Sequence, residues 1–142
     1  MTTIDDCRII DFPRILRPQG NLTAVQSGKE LPFEIARVYY LYDVPGGATR
    51  GGHAHCDLQQ VIVSAMGSFC VELDDGRHRK SVRLSRAYYG LYVPQMIWRE
   101  LVDFSSGGIS LVLASLPYAE DEYIRDYEDF LAKKGQRDDP VS

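Results

Sequence analysis

The chain offers little that would tie it to a membrane, a nucleic acid or an oxidising compartment. Its longest apolar stretches, Val61 to Val63 and the serine-broken run from Ile109 to Leu116, fall far short of the roughly 20 residues of a membrane-spanning helix. Asp5 and Asp6 follow closely on Met1, where a secretory leader would be basic and then apolar. There are 16 Lys and Arg against 20 Asp and Glu, a net charge of −4. A broad nucleic-acid surface needs a basic excess, so that class is disfavoured. A few arginines gathered inside a cavity are still compatible with this balance. Only three cysteines are present, Cys7, Cys56 and Cys70. Their odd number and irregular spacing predict reduced thiols and a cytoplasmic protein. No glycine-rich dinucleotide fingerprint occurs, so no nicotinamide or flavin cofactor is expected.

What is present reads as one small all-β domain. A chain of 142 residues with 44% hydrophobic content supports one core. Short β-branched and aromatic segments recur between turn signals. They cover residues 35–42, 58–64, 69–73, 78–84, 88–93, 97–104 and 109–115. Pro45-Gly46-Gly47, Ala65-Met66-Gly67-Ser68 and Asp74-Asp75-Gly76 separate the first of them, and Asp-Gly favours a tight hairpin. This is the spacing of a sandwich or barrel. One helix is predicted over residues 121–134, with Ile124, Tyr127 and Leu131 on one stripe and acids in the first turn. The single domain is expected to span residues 1–135, with a polar tail at 136–142.

The chemistry-bearing stretch is Gly47-Ala-Thr-Arg-Gly-Gly-His53-Ala-His55. Two histidines one residue apart on a strand project to the same face. Cys56 then falls on the opposite face and reads as a buried thiol. His78, beside Gly76-Arg77, reads as a solvated turn residue. The spacing resembles the first cupin motif, which implies a jelly-roll β-barrel. Gln60 and Gly67 fall where that motif places a glutamate and its last glycine. Gly90-Leu-Tyr-Val-Pro94-Gln-Met-Ile-Trp98-Arg99 resembles the second motif, with Arg99 in place of its histidine. Metal cupins hold their ion with three histidines and a carboxylate. Gln60 is a weak neutral donor and Arg99 a fixed cation that repels metal ions, so no metal is expected. The two imidazoles are then available for acid–base work near neutral pH.

A closer resemblance follows from stretches that run in order along most of the chain. They include Arg37-Val-Tyr39-Tyr40-Leu-Tyr42, Arg50-Gly-Gly-His53-Ala-His55, Gln60-Val, Leu73-Asp-Asp-Gly76, Trp98, Asp103-Phe-Ser-Ser, Val112-Leu-Ala-Ser115 and Tyr123-Ile-Arg125. The chain resembles the dTDP-4-keto-6-deoxyglucose 3,4-ketoisomerases, a WxcM-like cupin family. The resemblance implies a metal-independent homodimer that makes 3-amino-3,6-dideoxy sugars for bacterial glycans such as O-antigen lipopolysaccharide, or for antibiotics. Its substrate would be a dTDP-linked 4-keto-6-deoxy sugar, with neither a nucleic acid nor a membrane as partner. The hydrogen on C3 beside a C4 ketone is acidic. Its removal, exchange of the hydroxyl and carbonyl through an enediol, and protonation of C4 complete the reaction without a redox cofactor. By resemblance His53 is the principal base, with His55 orienting it or shuttling protons. Tyr39 is a candidate donor to the oxyanion. Arg37, which shares a face with Tyr39, is expected to hold diphosphate with Arg50, and Arg99 to anchor diphosphate or sugar. Gln60 is expected to contact substrate, and Tyr92 and Trp98 are candidates to stack on thymine. Arg99 is a poor proton shuttle, so the proton is expected to return from the His53 side and to give the gluco product. Gln19 departs from both stereochemical groups. Two alternatives remain open at this level. One is a nucleotide-sugar 3,5-epimerase, the other a sugar-binding cupin without turnover.

Overall fold

Alternating inward and outward side chains build two antiparallel sheets that face one another. The computed structural model describes residues 2–138. One sheet contains β1 (Arg8–Asp11), β2 (Arg37–Leu41), β4 (Gln60–Met66), β7 (Tyr89–Val93) and β9 (Ile109–Ala114), in the order β1-β7-β4-β9-β2. The other contains β3 (Arg50–His55), β5 (Phe69–Asp74), β6 (Arg79–Leu84), β8 (Trp98–Val102) and β10 (Tyr123–Ile124), in the order β10-β3-β8-β5-β6. The chain is an all-β jelly roll of the cupin type with one C-terminal helix. Its layers are two separate five-stranded sheets, not one closed ring.

The core lies between the layers. Ile62, Leu91, Val93 and Val112 from one sheet meet Phe69, Val71, Leu73, Leu84 and Leu101 from the other. Phe69 stacks on Phe104 with centroids 4.8 Å apart, and truncating such a ring to alanine costs about 3–5 kcal/mol. The outer faces are covered too. Val61, Val63 and Leu113 pack outward against Phe12, Leu31 and Phe33. That is why Gln60 to Ser64 are all buried, inward and outward alike.

The helix differs from the sequence expectation. It spans α1 (Tyr127–Asp138) and starts where the Asp126 carboxylate accepts the amides of Glu128 at 2.8 Å and Asp129 at 3.2 Å. That is an N-cap, so the acids upstream are not a first turn. Glu120–Glu122 form a 3₁₀ turn and Tyr123–Ile124 a strand paired with β3. Ile124 therefore joins a small outer core with Ala54, Met96, Trp98 and Phe130. Gly135 lies inside the helix, which takes in 136–138 of the expected tail. Residues 139–142 fall outside the described residues. No helix among the described residues is long and apolar enough to cross a membrane.

Candidate active site

A bulge in β3 aims the histidines. Arg50 pairs with Leu101 and His53 with Arg99, so three steps on β3 oppose two on β8. The extra residue is accommodated by Gly51 at φ +75°, a backbone state that glycine enters without steric cost. Without it, Arg50 and His53 would face opposite sides. With it both line the inner cavity. Ala54 and Cys56 point outward into the small core against the helix.

His55 is fully buried and His53 half-buried. Their rings stand nearly perpendicular, with Nε2 atoms 3.1 Å apart. His53 Nδ1 lies 2.7 Å from the Gly51 carbonyl. A carbonyl only accepts, so this nitrogen carries the proton and the lone pair of neutral His53 is on Nε2. The hydrogen shared between the rings then sits on His55 Nε2. His55 Nδ1 is buried with no hydrogen-bond partner among the described residues. Burial, reinforced by the Arg99 cation, holds the His53 imidazole down to about 3 and pushes His55 lower still. Both rings are therefore neutral near pH 7, as a base must be.

The cavity is about 260 Å³ and lies between the two sheets. Opposite His53, the sheet containing β2 and β4 contributes Arg37, Tyr39 and Gln60. Arg99 is 2% exposed and has no carboxylate partner among the described residues. It donates from Nε to the Ile97 carbonyl at 3.1 Å and from Nη1 to Gln60 Oε1 at 2.6 Å. Gln60 Nε2 in turn donates to Tyr39 Oη at 3.1 Å. Burial lowers the Arg99 guanidinium to about 10, which keeps it cationic at neutral pH, and raises the Tyr39 phenol. Arg99 Nη2 and Arg37 Nε are buried without partners among the described residues. Buried polar atoms are normally satisfied, so these two donors mark where a ligand's oxygens fit. Arg50 and Arg125 line the exposed end. As a metal site the donor set does not fit, because a guanidinium cannot ligate and Gln60 is held by Arg99.

Seven of the nine residues expected from sequence gather here: His53, His55, Tyr39, Arg37, Arg50, Gln60 and Arg99. Two do not. Trp98 is on the outer face of β8, against Tyr127 at 5.3 Å and Phe130 at 5.8 Å. Strand alternation forces this, since its neighbour Arg99 points inward. Tyr92 is on the outer face of β7, where it donates to Gln59 Oε1 at 2.7 Å and packs on Phe33. Neither lines the histidine cavity. Two residues were missed. Tyr123 sits with its ring 4.5 Å from His55 and 5.3 Å from His53, and accepts from Arg37 Nη2 at 3.2 Å. Arg125 lies over that ring at 4.4 Å. Both belong to the segment expected to be helical, which hid their approach to β3. A larger hollow of about 720 Å³ on the outer face of the other sheet is lined by no histidine or carboxylate.

Comparison with known proteins agrees with this geometry. The family model described as "FdtA: WxcM-like, C-terminal" matches residues 5–135. The TDP-4-oxo-6-deoxy-alpha-D-glucose-3,4-oxoisomerase of Aneurinibacillus thermoaerophilus is 44% identical over 123 residues, covering 87% of this chain and 88% of that protein. The sugar 3,4-ketoisomerase QdtA of Thermoanaerobacterium thermosaccharolyticum, solved in complex with TDP, superposes with a TM-score of 0.92 at 35% identity. That match covers 96% of this chain and 99% of QdtA. The TDP-quinovose 3,4-ketoisomerase WlaRB of Campylobacter jejuni gives a TM-score of 0.87 at 42% identity, over 91% and 99% of the two chains. The chain belongs to the FdtA (WxcM-like) family of sugar 3,4-ketoisomerases.

Proposed function

We propose that this protein converts dTDP-4-keto-6-deoxyglucose to a dTDP-3-keto-6-deoxyhexose with its own side chains as the acid–base groups. The observation that carries the reading is the pair of facing imidazoles at one wall of a cavity into which Arg99 Nη2 and Arg37 Nε bring donors without a partner among the described residues. The names of the 3,4-oxoisomerase and ketoisomerase relatives support the substrate class. The sugar enters between the sheets, while Arg37, Arg50 and Arg125 at the exposed end hold the diphosphate. His53 Nε2 takes the C3 proton once the bound sugar displaces the hydrogen bond it accepts from His55 in the free protein, while the Gly51 carbonyl keeps its ring in place. The buried Arg99 guanidinium serves the sugar end and stabilises the enediolate oxygen.

The product proposed is the gluco isomer, by a route that corrects the sequence expectation. In the gluco ring H3 and H4 lie on opposite faces. A proton returned by His53 to the face that H3 left would give the galacto isomer. The gluco product needs a donor on the other face, and Tyr39, which lines the cavity from the opposing sheet, serves as that donor. The 42% identity with a protein named for TDP-quinovose is in keeping with this choice.

The same reading includes a homodimer. Val38, Tyr40 and Tyr42 are exposed along the β2 edge of the sheet, as are Ile15 and Leu22, and large exposed apolar side chains are what a subunit interface covers. An odd count of three irregularly spaced cysteines favours a reducing, cytoplasmic setting. Proton NMR of the nucleotide sugar after incubation with the protein tests the function. Appearance of a C3 ketone with a hydrogen on C4 is expected. A retained C4 ketone with inversion at C3 or C5 would make it an epimerase, and binding without turnover a sugar-binding cupin.

A further inference from the structure

We propose that Gln60 is a positioning residue that aims the Tyr39 hydroxyl proton into the cavity, making Tyr39 the acid that protonates C4 on the face opposite His53. This rests on the ketoisomerase reading above and names its second proton-transfer group. A guanidinium only donates, so the 2.6 Å contact from Arg99 Nη1 fixes Oε1 as the Gln60 atom facing it. The amide nitrogen must then face Tyr39, to which it donates at 3.1 Å. Having accepted there, the phenol oxygen cannot point its own hydrogen at Gln60, and Tyr39 lines the cavity. Arg99 is itself held by the Ile97 carbonyl at 3.1 Å, and Gln60 is 1% exposed. The chain from Arg99 through Gln60 to Tyr39 therefore runs one way and ends with a proton available to the ligand.

Atoms and electrons balance along this route. His53 takes H3, and the C3–H electron pair becomes the C3–C4 double bond while the carbonyl pair moves to O4. The Tyr39 O–H bond then breaks and its proton joins C4. The O3 proton passes to the neighbouring O4 as the C3 carbonyl forms. One proton has left on His53 and one has arrived from Tyr39. The imidazolium releases its proton to solvent and the phenolate takes one up through the exposed end of the cavity, and no oxidant or reductant is consumed.

Gln60→Glu tests the direction of the chain. A carboxylate of the same size keeps the Arg99 contact but can only accept, so it captures the Tyr39 hydroxyl proton. Turnover of dTDP-4-keto-6-deoxyglucose by the full-length protein should fall by about 10² in kcat, with KM within about threefold because the arginine anchors are untouched. Adding Tyr39→Phe to Gln60→Glu should cost less than about threefold more. Gln60→Met, which presents no acceptor to the phenol, should keep at least about tenfold more kcat than Gln60→Glu. A role in shape alone predicts the reverse order, since glutamate is the closer match. Wild-type kcat in Gln60→Glu, or losses that multiply with Tyr39→Phe, would overturn the proposal. If Gln60→Glu does not fold, a wild-type kcat in Gln60→Met overturns it instead. Tyr39→Phe measured alone separates the two levels. An active Tyr39→Phe removes Tyr39 from the mechanism altogether, whereas an inactive one beside an active Gln60→Glu sinks only the role of Gln60.

Discussion

The carbonyl of Gly51 accepts the Nδ1 proton of His53 at 2.7 Å, so the bulge that turns His53 inward also decides which ring nitrogen keeps its lone pair. Replacing Gly51 with alanine leaves the Cβ in ordinary contact with the ring, 3.5 Å from its Cε1. The cost comes from the backbone, since φ +75° is disfavoured for alanine by about 1–2 kcal/mol. Gly51→Ala should lower kcat about tenfold or more by misplacing the base, with a modest drop in melting temperature. Unchanged kinetics would mean that the bulge does not orient His53.

His53→Asn should keep the fold and the affinity for TDP while lowering kcat by about 10² to 10⁴. Asparagine fits the space but cannot carry the proton. Titration with TDP confirms the intact site, and steady-state turnover reads the loss. His55→Asn should cost less, because His55 orients the base through the 3.1 Å contact between the rings. Activity of His53→Asn within tenfold of wild type would put the base elsewhere.

Most of this site was legible in the sequence because strand alternation is a strict rule. His53 and His55 at a spacing of two, and Arg37 with Tyr39, share the faces that the alternation requires. Trp98 and Tyr92 lie outside the histidine cavity by the same rule. The inward choice of Arg99 sends Trp98 outward, and the inward Leu91 and Val93 send Tyr92 outward. The one-residue bulge at Gly51 and the strand at Tyr123–Ile124 were not legible. Both depend on pairing with a distant partner, β8 in one case and β3 in the other. The acids at Glu120 to Glu122 imitate a helix start, and only the cap made by Asp126 shows where the helix begins.

The depressed histidines set a pH dependence. His53 falls from 6.5 to about 3 through burial first and the Arg99 cation second, so the free protein keeps its base neutral well below pH 6. A profile of kcat/KM should stay flat from pH 8 to about 5 and decline only below that. Bound diphosphate offsets the arginine charges and raises the histidine again, so the acid limb of kcat should lie at higher pH than that of kcat/KM. Folding stability follows the same sign. It is fully present above the unfolded value of 6.5 and lost as pH falls from there toward 3, because the unfolded chain binds the proton first. Thermal melts across this range check the second point. An acid limb of kcat/KM near 6.5 would contradict the first.

Extended treatment with a chelator should leave turnover unchanged. The groups at the positions of a third histidine and a carboxylate are Arg99 and Gln60, hydrogen-bonded to each other at 2.6 Å. Metal analysis beside the assay provides the check. A stoichiometric transition metal whose removal stops the reaction would contradict the donor-set argument.

In the proposed mechanism His53 and Tyr39, on facing sheets, divide one proton transfer between the two faces of the sugar. The most direct measurement uses dTDP-4-keto-6-deoxyglucose deuterated at C3, turned over in ordinary water and read by NMR at C4 of the fresh product. The account predicts that deuterium is lost to solvent. A proton then occupies C4, with the large coupling to H5 of an axial H4, the gluco form. Deuterium carried from C3 to C4, or a small coupling marking the galacto form, would mean that His53 alone removes and returns the proton, and would contradict it.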